Sequence, residues 1–178
     1  MPRYVALLGS INVGGNRVKM ADLKAAFETA GFDNVATVVA SGNVLFDHNR
    51  AGDAALAKEI EGIVKDRFGI ASFVAVRSRD ELANAISSNP FAKDGEAKFV
   101  HTLFLEEPLG APAVAAFAEC FDGPERIAAG GRELFVDYAA GVARSQIDPA
   151  MKKAKLINGR ATARNIRSLT RILDKMDS

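Results

Sequence analysis

Apolar positions along the chain recur with two periods, and the switches between them mark the elements. "YVALL" (4–8) is a short apolar run of strand type. In "MADLKAAFETAG", Leu23, Ala26, Phe27 and Ala30 share one helical face, Asp22 lies in the first turn where the dipole favours it, and Gly31 is the stop. "VATVV" and "NVLFD" are rich in β-branched and aromatic residues and are separated by "ASG", which predicts a hairpin turning near Gly42. "DAALAKEIEGIVKDRFG" predicts a longer helix with Leu56, Ile60, Ile63 and Val64 inside, ended by Gly69, and "SFVAV" a further strand. Residues 1–78 therefore spell β-α-β-β-α-β, the order of a ferredoxin-like split unit.

The order partly recurs. "RDELANAISS" predicts a short helix broken at Pro90, "KFVHTLFL" a strand, "APAVAAFAECF" a helix with Pro112 in its first turn, and "ERIAAGGRELFVDY" a hairpin around Gly130 and Gly131. "QIDPAMKKAKL" and "TARNIRSLTRILDKM" both predict helices, so the second half reads β-α-β-β-α-α, a variant without a closing strand. The expected architecture is α+β: a ferredoxin-like lobe over 1–78, a helical linker over 79–97, and a second α+β lobe over 98–178 ending in a basic amphipathic helix.

Net charge changes this picture only locally. The chain carries +1 overall, but from Lys152 to Lys175 eight basic residues face Asp174 alone, a surplus of seven on an otherwise acidic body. On a helix at 100° per residue, Arg160, Arg164, Arg167, Arg171 and Lys175 fall within about 80° of one another, with Ile166, Leu169, Leu173 and Met176 opposite. That predicts a solvated cationic face, or one that meets an anion or nucleic acid. Cys120 has no partner in the chain and is expected to be a small buried hydrophobe. "MPRYVALLGS" lacks the apolar core of a secretory signal, and no apolar run approaches the roughly 18 residues of a membrane span, so a cytoplasmic protein without membrane contact is expected.

The candidate chemistry is that of binding. "GSINVGGN" joins a strand to a helix, where backbone N–H groups can converge on an anion. A phosphate-binding loop of the nucleotide-hydrolase type needs Lys and Ser or Thr after its last glycine; Gly15 and Asn16 stand there instead. His48 and His101 belong to no zinc spacing, so no metal and no cofactor is expected. His101 lies in an apolar strand pattern and is expected to be a hydrogen-bonded sheet residue. "SGN" (41–43) accounts for a turn, yet Asn12, Ser41 and Asn43 would also make a small polar pocket if their loops converge.

Over nearly its whole length the sequence resembles the bacterial family catalogued as domain of unknown function 1697. The resemblance rests on "ALLGSINVGG", "SGNV", "VAVRSRDELANAISSNPF", "RS" at 144–145 and "TARN" at 162–165. It supports the two-lobed α+β reading and imports no activity. The chain departs from the family pattern at Gly9 and Ser10 (Arg-Gly in relatives), at Ala40 (Gln) and at Ile166 and Arg167 (Trp-Asn). The matching polar set is Asn12, Gly14, Gly15, Ser41, Asn43, Arg144, Ser145, Arg164 and Asn165, with Arg164 expected in a polar pocket and Arg167 and Arg171 in solvent. These residue types suit a phosphorylated or otherwise anionic small ligand in a cleft between lobes. Nucleic-acid binding along the basic helix, an enzyme without a nameable general base, and a structural or oligomerisation role are the alternatives.

Overall fold

A computed structural model describes residues 1–52 and 54–178. The elements are β1 (Arg3–Leu8), α1 (Met20–Thr29), β2 (Asp33–Thr37), β3 (Asn43–Asp47), α2 (Ala54–Phe68), β4 (Val74–Ser78), α3 (Arg79–Ser87), β5 (Val100–Leu109), α4 (Ala111–Cys120), β6 (Arg126–Asp137), α5 (Ile147–Lys153), β7 (Ala161–Asn165) and α6 (Ile166–Met176). A 3-10 turn covers Val142–Arg144. They form a mixed α+β fold with two antiparallel sheets, ordered β2-β3-β1-β4 and β6-β5-β7. The chain divides into one compact unit of residues 1–83 with 171–178 and another of residues 84–170. The divisions fall inside α3 and α6.

In the first unit the elements follow the predicted order with shifted bounds: the strand predicted over "VATVV" (35–39) is β2 at Asp33–Thr37, Val39 has a φ of 54°, and Asp53, the predicted start of α2, lies outside the described residues. The strands at Val5, Val44 and Val74 share one sheet. Alternate residues Tyr4, Ala6, Val44, Phe46, Val74 and Val76 pack against Leu23 and Phe27 of α1 and Leu56, Ile60 and Val64 of α2. Phe32 meets the Phe46 ring edge-on at 4.9 Å between centroids. The alternate face is buried as well: Val5, Leu7, Leu45, Ala75 and Arg77 are each at most 3% exposed. Asp177 returns to this unit, where its carboxylate accepts Arg79 Nε and Nη2 at 2.8 and 2.9 Å.

The second unit departs from the pattern at its C-terminal end. "TARN", predicted to open a helix, is the core of strand β7, paired antiparallel with β5 from His101↔Asn165 to Leu105↔Ala161. The sheet therefore has its closing strand. The reason is tertiary: β5 pairs with β6 along one edge, its residues Thr102 to Leu105 are all buried, and its other edge would leave buried backbone groups unpaired without β7. Consequently α6 starts only at Ile166, and Arg160 and Arg164 are not on it. α5 stops at Lys153, where the pattern carried it on to Leu156; Lys155 takes a left-handed φ of 53°. Cys120 is exposed, not buried; α4 presents Val114 and Phe117 to the core, and Cys120 lies roughly 120° around the helix from Val114.

β6 is one continuous element, yet it doubles back. A straight strand of its length would separate its ends by about 36 Å, whereas Arg126 Nη2 lies 2.7 Å from Asp137 Oδ2. The reversal is at Gly130 and Gly131, as predicted, with φ 78° at Gly131. A Cβ on Gly130 would come within 2.5 Å of Cε2 of the buried Phe135 ring. Arg126 also takes Asp94 through two bonds of 3.1 and 2.9 Å and stacks its guanidinium 4.7 Å over the Phe91 ring.

One junction recurs between the two sheets. In β4 and in β7 the fourth residue is a buried arginine, Arg77 and Arg164, and each donates Nη1 to the carbonyl of the residue before it at 2.9 Å. The next residue caps the following helix: Ser78 Oγ accepts the Glu81 N–H at 3.2 Å, and Asn165 Oδ1 accepts the Ser168 N–H at 2.9 Å.

Gly130→Ala is expected to destabilise the protein by about 1–3 kcal/mol through overpacking against Phe135. Gly62→Ala, whose added methyl group meets nothing within 4 Å, is expected to be neutral or stabilising by up to about 1 kcal/mol. Urea unfolding of the two variants against wild type checks the pair.

Candidate functional site

The loops of the first unit that the sequence marks do converge. Asn12 Nδ2 donates to the Ala40 carbonyl at 3.0 Å, and Asn12 Oδ1 accepts the Val18 N–H at 2.9 Å. Asn43, fully buried, donates Nδ2 to the Val38 carbonyl at 3.0 Å and to Ser41 Oγ at 3.1 Å. Gly42 is fixed by close approach, since a Cβ there would lie 3.1 Å from Ile11 Cβ and 3.2 Å from Leu8 Cβ. Gly14 and Gly15 are exposed at the tip with φ 64° and 113°. Both polar ends of the Asn12 side chain are thus spent on holding one loop against the other, which is a structural use of the motif. At the departures from the family pattern, Gly9 donates its N–H to the Phe73 carbonyl at 2.8 Å, and Ala40 contributes only its backbone.

The remaining predicted residues belong to the second unit. Arg144 is exposed on the 3-10 turn. Ser145 Oγ donates to a Glu125 carboxylate oxygen and accepts the Ile147 N–H at 3.2 Å, where α5 begins. Arg164 is buried, with Nη1 donating to Thr162 Oγ1 at 2.7 Å, and burial pushes its guanidinium down to about 10. Asn165 is the helix cap described above. Arg167 and Arg171 are exposed, as expected. The five-member cationic stripe does not form: Arg160 is held by both oxygens of Glu106 at 3.0 and 3.1 Å, and Arg164 lies within the sheet.

A cavity of the second unit was not legible in those motifs. It encloses about 770 Å³ between α5, the segment after it and the β5/β7 face of the sheet. Leu103, Ala161 and Ala163 form its sheet side, and Asp148, Met151 and Lys152 its helix side. Lys155, Ile157, Asn158 and Gly159 close it. Asp148, Met151 and Lys152 are spaced i, i+3, i+4, one face of α5, and this was the signal in the sequence that could have found the helix side of the site.

Tyr138 lines the cavity, and His101 packs behind it. The Tyr138 hydroxyl donates to Asp148 Oδ1 at 2.7 Å, tying the residue after β6 to α5. Burial first, and that bond second, push the Tyr138 phenol well above its usual range, so it stays protonated and acts as a donor. His101 meets the Tyr138 ring edge-on at 4.9 Å and shares a hydrogen bond of 3.1 Å with the Phe99 carbonyl. Burial holds its imidazole below the ordinary value, against weaker opposing pulls from that carbonyl and Asp148. Among the described residues no group of three or more His, Cys, Asp or Glu could hold a metal ion.

A family model described as "Protein of unknown function (DUF1697)" matches residues 1–135. The chain belongs to the DUF1697 family. No curated protein matches it. The solved structure of the conserved bacterial protein SP0830 from Streptococcus pneumoniae is similar, with a TM-score of 0.76 at 22% identity over 100% of this chain and 99% of that one. At that identity the likeness establishes the fold alone. Of the cavity lining, only Leu103 falls within the span that the DUF1697 model matches.

The buried His101 makes stability depend on pH. Its folded value is lowered, so between that value and about 6.5 the unfolded chain binds the extra proton. The stability it confers is present above about pH 6.5 and is lost as pH falls below that. Urea unfolding at pH 7.5 and 5.0 should show a larger loss for wild type than for His101→Gln; equal losses would exclude the imidazole as the source.

Proposed function

We propose that this DUF1697 protein binds a small organic ligand in the second-unit cavity, between α5 and the β5/β7 face. The observation that carries the reading is the cavity itself. Its volume of about 770 Å³ lies within the roughly 300–1,000 Å³ of small-molecule sites, and it has their make-up: an apolar lining with a few polar groups. The protonated Tyr138, bonded to Asp148, supplies a fixed wall rather than a base, which favours binding over catalysis.

The scaffold belongs to the same proposal. The order β2-β3-β1-β4, all antiparallel, and the doubled-back β6 beside β5 and β7 support reading both units as ferredoxin-like lobes. An exposed free thiol at Cys120 suits a reducing, cytoplasmic setting.

Methyl-resolved NMR of the whole chain during a fragment screen tests the assignment. Shifts are expected to cluster on Leu103, Met151, Ile157, Ala161 and Ala163, with a ligand at a hundred times its Kd stabilising by about 2.7 kcal/mol. Shifts confined to Val13 and the loop around Gly14, or to α6 around Arg167 and Arg171, would move the site to the first-unit loop or to the cationic helix.

A further inference from the structure

We infer that the ligand of this cavity is an amphipathic anion: an apolar body on the sheet side and a single carboxylate, sulfonate or phosphate group at Lys152 and Lys155. The inference rests on the cavity reading above and adds the chemical class. Leu103, Met151, Ile157, Ala161 and Ala163 supply an apolar lining on three sides, which rewards burial of hydrocarbon or ring surface and penalises any polar group left without a partner. The charged groups are placed unequally. Two ammonium groups, on Lys152 and Lys155, face one carboxylate, that of Asp148, which already accepts the Tyr138 hydroxyl at 2.7 Å. Neither lysine forms an ion pair among the described residues, in contrast to neighbouring Arg160, which Glu106 neutralises. Asn158 adds an amide beside them, although its Oδ1 is taken by the Arg160 N–H at 3.0 Å.

This arrangement selects charge more than shape. An ammonium is a point donor on a flexible stem, so a lysine pair accepts several kinds of oxyanion, where an arginine fork would favour a planar bidentate one. A neutral ligand of the same body would gain the apolar contacts and leave both lysines to water. A cation would meet two like charges in the lining.

The test uses the full-length chain and two fluorescent probes with one aromatic body. 1-Anilinonaphthalene-8-sulfonate carries the anion, and N-phenyl-1-naphthylamine lacks it. Titrations compare wild type, Lys152→Gln/Lys155→Gln, and Ala163→Trp, which fills the cavity from β7. The double lysine variant is expected to weaken the sulfonate probe by roughly five- to tenfold and to leave the neutral probe unchanged, while Ala163→Trp removes both. If Ala163→Trp blocks both probes but the lysine variant affects them equally, the anionic class is overturned and the cavity reading stands. If Ala163→Trp binds both as wild type does, or wild type binds neither, the cavity reading falls and the inference with it.

Discussion

Strand β5 cannot stand with one edge open. From Thr102 to Leu105 it is buried on both faces, and β6 pairs along only one side. Each backbone donor or acceptor left without a partner in such a place costs about 1–3 kcal/mol, and several would be left together. The chain satisfies them with residues 161–165, a stretch whose Ala, Thr, Arg and Asn have little strand preference between them. The Glu106 N–H donates to the Arg160 carbonyl at 3.2 Å, and the antiparallel alternation from there puts Thr162 and Arg164 at the hydrogen-bonded positions of the ladder.

Much of the second unit follows from that pairing. Arg164, carried into the ladder opposite Thr102, is buried and leaves the helix that would have displayed it. Ala161 and Ala163, on the alternate face, become the sheet side of the cavity. Because α5 must end and the chain must come back to the sheet within residues 154–160, Lys155 and Gly159 take positive φ, and the return segment closes over the space between α5 and β7. The bidentate Arg160–Glu106 pair fixes the point at which that segment rejoins the sheet.

The same pairing separates what the sequence disclosed from what it withheld. Elements that bury one face against their own neighbours, such as α1 with Leu23 and Phe27 or β3 with Val44 and Phe46, carry their period locally and could be read. So could the reversal at Gly130 and Gly131, where the positive φ of Gly131 and the approach of Phe135 to Gly130 favour glycine. β7 could not: "TARNIRSLTRIL" has basic and apolar residues at helical spacing, and only the unpaired edge of β5, some sixty residues earlier in the chain, makes its first residues extended. The family-like polar residues were legible as a set, but Asn12, Asn43 and Asn165 turn out to hold loops and cap a helix. The cavity draws on residues from Leu103 to Ala163 and has no contiguous signature.

The central claim is therefore that residues 161–165 are a strand of the second sheet, and that the cavity beside α5 exists because they are. Native-state hydrogen exchange of the full chain measures this directly. The account predicts that the Thr162 and Arg164 amides are protected to the same degree as those of β6 paired with β5, while the amides of Ile157 to Gly159 exchange fast. Rapid exchange at Thr162 and Arg164, at the rate of the preceding loop, would contradict it, and the cavity would lose its sheet side.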